Sequence, residues 1–391
     1  MKVTLLTGGS DRPYAFGIVK TLVSKGVTVD FIGSDELVSS ELSDDQKINF
    51  LNLRGNTAHE SPRVQKVVRI YKYYVRLLLY SVKTDTKVFH ILWANRFLVL
   101  DRLLLNIYYK LLGKKLILTA HNVNQEQRDG HDDWFNRLTL RGFYALMDHI
   151  FVHTEKMKLQ LLDEFNVIEK KVSVIPFGIN NTLPKSKLTR SEAKLKLGMG
   201  EDEKVFLFFG RVANYKGLEF AIEALDRLVK GDDKFRLVVA GRIEQGHETH
   251  WEKIEAAIEA RKLEKYVIRK IEYIPDEDVE IYFKSADALI LPYKQIFQSG
   301  VLFLAYSFGL PVIATDVGSF RDDIIEGETG MICRPGDADD LADTLNRYFD
   351  SELFRNFETT AVNIIDYGNR KYSWEEVGNI TCKVYEKLLS S

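Results

Sequence analysis

Cysteine is almost missing from this chain of 391 residues, which holds only Cys333 and Cys382. Two thiols so far apart make neither a metal spacing nor a disulfide framework, so the reading is a reducing compartment, no metal site and two small buried side chains. Proline is scarce at 8, glycine stands at 25, and the net charge is only −2. Collagenous, low-complexity and strongly charged disordered classes are thereby excluded. No apolar run is clean enough to span a bilayer. The nearest, residues 295–315, carries no charge but contains Gln295, Gln298, Gly300, Gly309 and Pro311, the pattern of a buried helix followed by a buried strand. The opening Met1-Lys2-Val3-Thr4-Leu5-Leu6-Thr7-Gly8-Gly9 reads as a strand entering a glycine turn rather than as an export signal, and a cytoplasmic location is expected. Also missing are a G-x-G-x-x-G after the first strand and any G-x-x-x-x-G-K-[ST], which removes the main support for a dinucleotide oxidoreductase or a P-loop ATPase. Without helix-turn-helix grammar, zinc spacing or an aromatic-basic RNA motif, no nucleic-acid partner is expected.

What is present is core. With 45% hydrophobic residues, the chain can fill two domains of roughly 180 to 200 residues each. Strand-like runs at 3–7, 27–32, 115–119, 149–153 and 171–176 alternate with helical stretches. After a polar lapse at 182–190 the same grammar resumes at 205–209, 235–240, 267–271, 288–291, 311–314 and 330–333. Such alternation predicts an α/β protein with two doubly wound, Rossmann-like domains facing across a cleft, ligands lying beyond the carboxyl ends of the strands. The domains are expected at 1–181 and 182–372. Charge divides with them: residues 1–190 balance to +9 and residues 191–391 to −11. Within 61–115 there are 12 basic residues and 2 acidic ones, a field suited to phosphorylated or anionic-surface partners or simply to water.

Two segments carry chemistry. In Phe208-Phe209-Gly210-Arg211-Val212-Ala213-Asn214-Tyr215-Lys216-Gly217 a strand ends in a glycine and two cations are presented before a helix, which suits a diphosphate: Arg211 can bind oxygens in pairs and Lys216 adds a compact charge. In Gln298-Ser299-Gly300-Val301 and the apolar run to Phe308, Ser299 is the expected N-cap and Gly309 the stop of a buried helix. Its N-terminal amides would suit phosphate or sugar hydroxyls. Each segment also reads as ordinary structure when taken alone. Asp276-Glu277-Asp278 and Asp337-Ala338-Asp339 are read as helix caps, not metal ligands.

In order, Gly210-Arg211 to Lys216-Gly217, Gly241, the loop Tyr293 to Gly300, and Gly309-Leu310-Pro311-Val312-Ile313-Ala314-Thr315 resemble the donor domain of retaining family 4 glycosyltransferases with the GT-B fold. Leu118-Thr119-Ala120-His121-Asn122-Val123, residues 148–154 and Val174-Ile175-Pro176-Phe177-Gly178 resemble that family's acceptor domain. The resemblance implies transfer of a hexose, by guess glucose, from a UDP-sugar to a saccharide or lipid-linked acceptor with retention, without metal or other cofactor, in exopolysaccharide, lipopolysaccharide or glycolipid synthesis. It implies catalytic roles for Arg211, Lys216 and His121, and phosphate and sugar contacts at Gly9, Gly210, Gln298, Ser299, Gly300 and Val301. The nucleoside would border Gly241, Arg242, Tyr273, Ile274 and Leu304. It also implies that residues 373–391, a helix with Ser373 as N-cap and Glu376 completing a capping box, cross back to the first domain.

One departure stands out. Where the family carries two glutamates separated by seven residues, this chain has Ile296 and Leu304. A non-catalytic nucleotide-sugar binding module therefore stays open as an alternative, as does a GT-B nucleotide-sugar epimerase. Finally, residues 64–80 are expected to form a helix burying Val64, Val67, Val68, Tyr71, Tyr74, Val75, Leu78 and Leu79. Ile70, Tyr73, Leu77 and Tyr80 would then be exposed among cations, and peripheral contact with an anionic membrane through residues 61–115 is expected.

Overall fold

The computed structural model describes every residue except 9–11, 39–44, 57–62, 94–96, 125, 127–131, 180, 182 and 391. Its strands form two sheets, parallel throughout. The first comprises β1 (Lys2–Leu6), β2 (Thr28–Gly33), β3 (Ile48–Asn52), β4 (Val88–Ile91), β5 (Lys115–Thr119), β6 (His149–Val152) and β7 (Val172–Val174), in the order β3-β2-β1-β4-β5-β6-β7. The second comprises β8 (Lys204–Phe209), β9 (Phe235–Ala240), β10 (Val267–Lys270), β11 (Ala288–Leu291), β12 (Val312–Thr315) and β13 (Gly330–Cys333), in the order β10-β9-β8-β11-β12-β13. Central strands such as β4, β6, β11 and β12 are buried at every position, as parallel strands covered by helices on both faces must be. Strand order reverses beside β1 in one sheet and beside β8 in the other, and at such switch points neighbouring loops part to leave a crevice.

Met1–Gly178 and Ser373–Ser391 make one compact unit and Ile179–Tyr372 the other. The break thus falls after Gly178 rather than after Asn181. In the first unit the helix Trp374–Ser390 lies on the helix Arg12–Ser24, where Trp374 occupies the space a side chain at Gly17 would need. His90, fully buried on β4, joins this helix to the sheet. Its Nδ1 meets Tyr385 Oη at 2.6 Å and its Nε2 meets Thr119 Oγ1 at 2.8 Å. Burial pulls its pKa down to about 3, so the ring stays neutral.

Several local expectations are corrected. The helix Arg63–Lys83 presents the opposite face to the sheet: Tyr73, Leu77 and Ser81 are buried, while Val64, Val67, Val68, Tyr71 and Leu79 are exposed. Tyr80, on the buried side, donates to Asp30 at 2.7 Å, the polar partner a phenol needs once covered, while Tyr74, on the other stripe, is half-buried and donates to Asp101 at 2.8 Å. Ser373 Oγ accepts from the Glu375 amide at 3.1 Å, whereas the reciprocal capping box occurs at Thr189 and Glu192. Asp337 caps its helix by accepting from Asp339 and Asp340; Asp278 holds the N-cap position without a side-chain bond. Cys333 is buried, but Cys382 is only half-buried.

Candidate functional site

In the second unit the expected residues gather at the carboxyl ends of β8, β9, β10 and β11. Gly210 follows β8. A Cβ built there would stand 3.2 Å from Lys216 Nζ and 3.6 Å from Val301 Cγ2, so the ammonium and the first turn of the helix Gly300–Ser307 meet at this glycine. Lys216 is 6% exposed, and its Nζ lies 5.5 Å from the centre of the Tyr293 ring. A cation so placed is half desolvated by an aromatic face and acts strongly on an anion beside it. Ser299 is the N-cap residue, as expected, yet its hydroxyl does not cap; it is hydrogen-bonded to the buried phenol of Tyr293, whose pKa burial pushes up. The first amides of this helix have no intrahelical acceptor, and Gln298 Oε1, just before them, is buried with no partner among the described residues.

Backbone approach fixes these loops. Gly217, with φ +64°, lies where a Cβ would fall on the Pro292 carbonyl oxygen. Gly241, with φ +143°, lies where one would fall on the Gly210 carbonyl oxygen. The loops after β8, β9 and β11 are therefore in direct backbone contact, possible only without side chains. Arg211 is turned differently: it is exposed, and its Nη1 meets Glu244 Oε1 at 3.3 Å. Of the nucleoside set, Arg242 and Tyr273 are exposed and Ile274 is buried, at the ends of β9 and β10. Leu304 is buried within the helix Gly300–Ser307. Gly9 lies outside the described residues.

His121 belongs to the first unit, just past β5. Trp93 stacks on its ring at 4.5 Å and 8°, and Tyr14 meets it edge-on at 4.6 Å. Its Nδ1 is 3.0 Å from His153 Nε2, and His153 Nδ1 is 3.3 Å from the Ile175 carbonyl oxygen. Burial lowers both imidazoles, His153 to about 4 and His121 well below the ordinary value. Gly8, with φ +53°, sits where a side chain would collide with the Trp93 backbone. Sequence reasoning missed Tyr14, Trp93, His153 and Glu244. His153 alone had a legible signal: β5 and β6 pair Thr119 with Phe151, so continuing the register sets His121 beside His153.

Comparison with known proteins completes the picture. Residues 12–183 match the family model described as Glycosyltransferase Family 4, and residues 189–370 match that of Glycosyl transferases group 1. An uncharacterized glycosyltransferase of Methanocaldococcus jannaschii is 26% identical over 238 residues, 60% of this chain and 58% of that protein. A D-inositol 3-phosphate glycosyltransferase of Corynebacterium aurimucosum is 23% identical over 290 residues, 70% of this chain and 66% of its own length. The chain thus spans less than two thirds of these relatives. Among solved structures, HepE of Anabaena in complex with UDP and glucose superposes with a TM-score of 0.75 at 15% identity, covering 100% of both chains, a likeness of fold.

Proposed function

Because the chain belongs to the glycosyltransferases, both halves matching their family models, we propose that it moves a hexose, glucose-type, from UDP to a saccharide or lipid-linked acceptor with retention. The pathway we favour is exopolysaccharide, lipopolysaccharide or glycolipid synthesis. The observation that carries this reading is the meeting of Lys216 with the N-terminal turn of the helix Gly300–Ser307 at Gly210. As the bond from sugar to phosphate breaks, negative charge grows on the departing diphosphate. A desolvated ammonium and helix amides aimed at that charge lower the barrier without moving. Arg211 adds a second cation, and Glu244 holds it until a diphosphate competes. With retention, the acceptor approaches on the leaving-group side and its proton passes to the departing phosphate oxygen. This scheme needs neither of the two family glutamates replaced by Ile296 and Leu304. UDP as the nucleotide is supported by its presence in the Anabaena protein of the same fold. A thermal-shift comparison of UDP, GDP and ADP tests the donor. UDP should raise the melting temperature by mass action, its binding at 100 times Kd being worth about 2.7 kcal/mol, which is about 5–11 °C for domains of this size; no shift at millimolar UDP would overturn the reading.

The corrected face of the helix Arg63–Lys83 supports peripheral contact with an anionic membrane, where a lipid-linked acceptor would lie, at the inner face if the protein is cytoplasmic. Val64 is 74% exposed and Tyr71 70%, beside Lys72 and Arg76. Neighbouring helices add Leu111 at 81% and Trp134 at 75%; Tyr108 Oη bonds the Leu78 carbonyl and Arg102 the Asn136 side chain, which ties the three helices together. Apolar side chains among cations suit the interface of an anionic bilayer, each cation adding about 1 kcal/mol. No helix among the described residues is long and apolar enough to cross a membrane. The protein should float with phosphatidylglycerol vesicles at low salt, and Lys72→Glu with Arg76→Glu should abolish this. Absence of flotation by the wild type would end the idea.

A further inference from the structure

We propose that His153 is a positioning residue that fixes His121 as a hydrogen-bond acceptor, its Nε2 left bare for a ligand hydroxyl; the ligand part rests on the glycosyl-transfer reading above. The polarity is set at the far end of the relay. The Ile175 carbonyl oxygen has no hydrogen to give, so His153 Nδ1, 3.3 Å away, carries the proton. A neutral imidazole has one protonated nitrogen. His153 Nε2 is therefore a lone pair, and His121 Nδ1, 3.0 Å from it, donates. His121 Nε2 is then a lone pair too, buried with no partner among the described residues. Burial keeps both rings neutral. Trp93 stacked on one face and Tyr14 against the ring hold His121 from turning over. An orphaned buried acceptor is costly, and an O–H satisfies it where a carbonyl or carboxylate oxygen cannot.

Nitrogen-15 spectra of the histidine rings in the full chain at neutral pH test this without a ligand. Wild-type His121 should show Nδ1 protonated and Nε2 bare, the reverse of the tautomer free imidazole side chains favour. His153→Phe should return His121 to a mainly Nε2-protonated ring. His153→Gln, whose amide both donates to Ile175 and accepts from His121, should preserve the wild-type form. UDP release from UDP-glucose should fall about tenfold in kcat for His153→Phe and hold in His153→Gln. A wild-type spectrum with His121 Nε2 protonated overturns the proposal, as does a His153→Phe spectrum with His121 unchanged. If the wild type releases no UDP from UDP-glucose, the donor reading fails while the spectra still decide the role of His153.

Discussion

Lys216→Ala is expected to lower kcat for sugar transfer by about 100- to 1,000-fold, the range seen when one preorganised charge partner of a transition state is removed. The reason is placement. Lys216 is buried, faces the Tyr293 ring, and meets Val301 at Gly210, so water cannot easily replace it. Arg211→Ala should cost less, about tenfold, because Arg211 is exposed and already shares its charge with Glu244. The ordering matters as much as the size. Steady-state kinetics with the nucleotide sugar that the thermal-shift comparison selects would measure both, alongside circular dichroism to confirm folding. A Lys216→Ala enzyme within about threefold of wild type would remove Lys216 from the machinery.

Gly217→Ala should be strongly destabilising, by about 3–5 kcal/mol. Its φ of +64° already disfavours a side chain, and the added Cβ would meet the Pro292 carbonyl, a backbone atom that cannot swing aside. Relief requires the loop carrying Lys216 to lift from the end of β11, so UDP binding should be lost with stability. Gly231→Ala is the control. Nothing lies within 4 Å of its added Cβ, it ends the helix Leu218–Gly231, and alanine there should be neutral or stabilising by up to about 1 kcal/mol. Calorimetric unfolding of both variants would separate them; equal melting temperatures would contradict the backbone contact.

The alternation of strand and helix was legible because parallel strands buried on both faces need continuous apolar runs, which β8 with Val205 to Phe209 supplies. Strands β3 and β4 were not: the exposed Asn49 interrupts β3, and β4 is four residues long with His90 within it. The loop proposed to hold the diphosphate was legible as a loop through Gly210, Lys216 and Gly217, whose spacing reflects a strand end, a turn and a helix start. The face of the helix Arg63–Lys83 was not. Two apolar stripes compete there, and Asp30, distant in sequence, offers its carboxylate to the Tyr80 phenol of the shorter one, which is the stripe that holds the buried Tyr73 and Leu77. Nor was the aromatic enclosure of His121 legible, since Tyr14, Trp93 and Phe177 come from three separate segments.

The first unit is discontinuous in the chain: Ser373–Ser391 complete what Met1–Gly178 begins. During synthesis the whole second unit leaves the ribosome before Trp374 can reach Gly17 or Tyr385 can reach His90. Until then His90 lacks its Nδ1 partner and one side of the helix Arg12–Ser24 stays uncovered. A chain stopped anywhere before the helix Trp374–Ser390 is made leaves an apolar seam, the kind of surface that chaperones and quality control recognise.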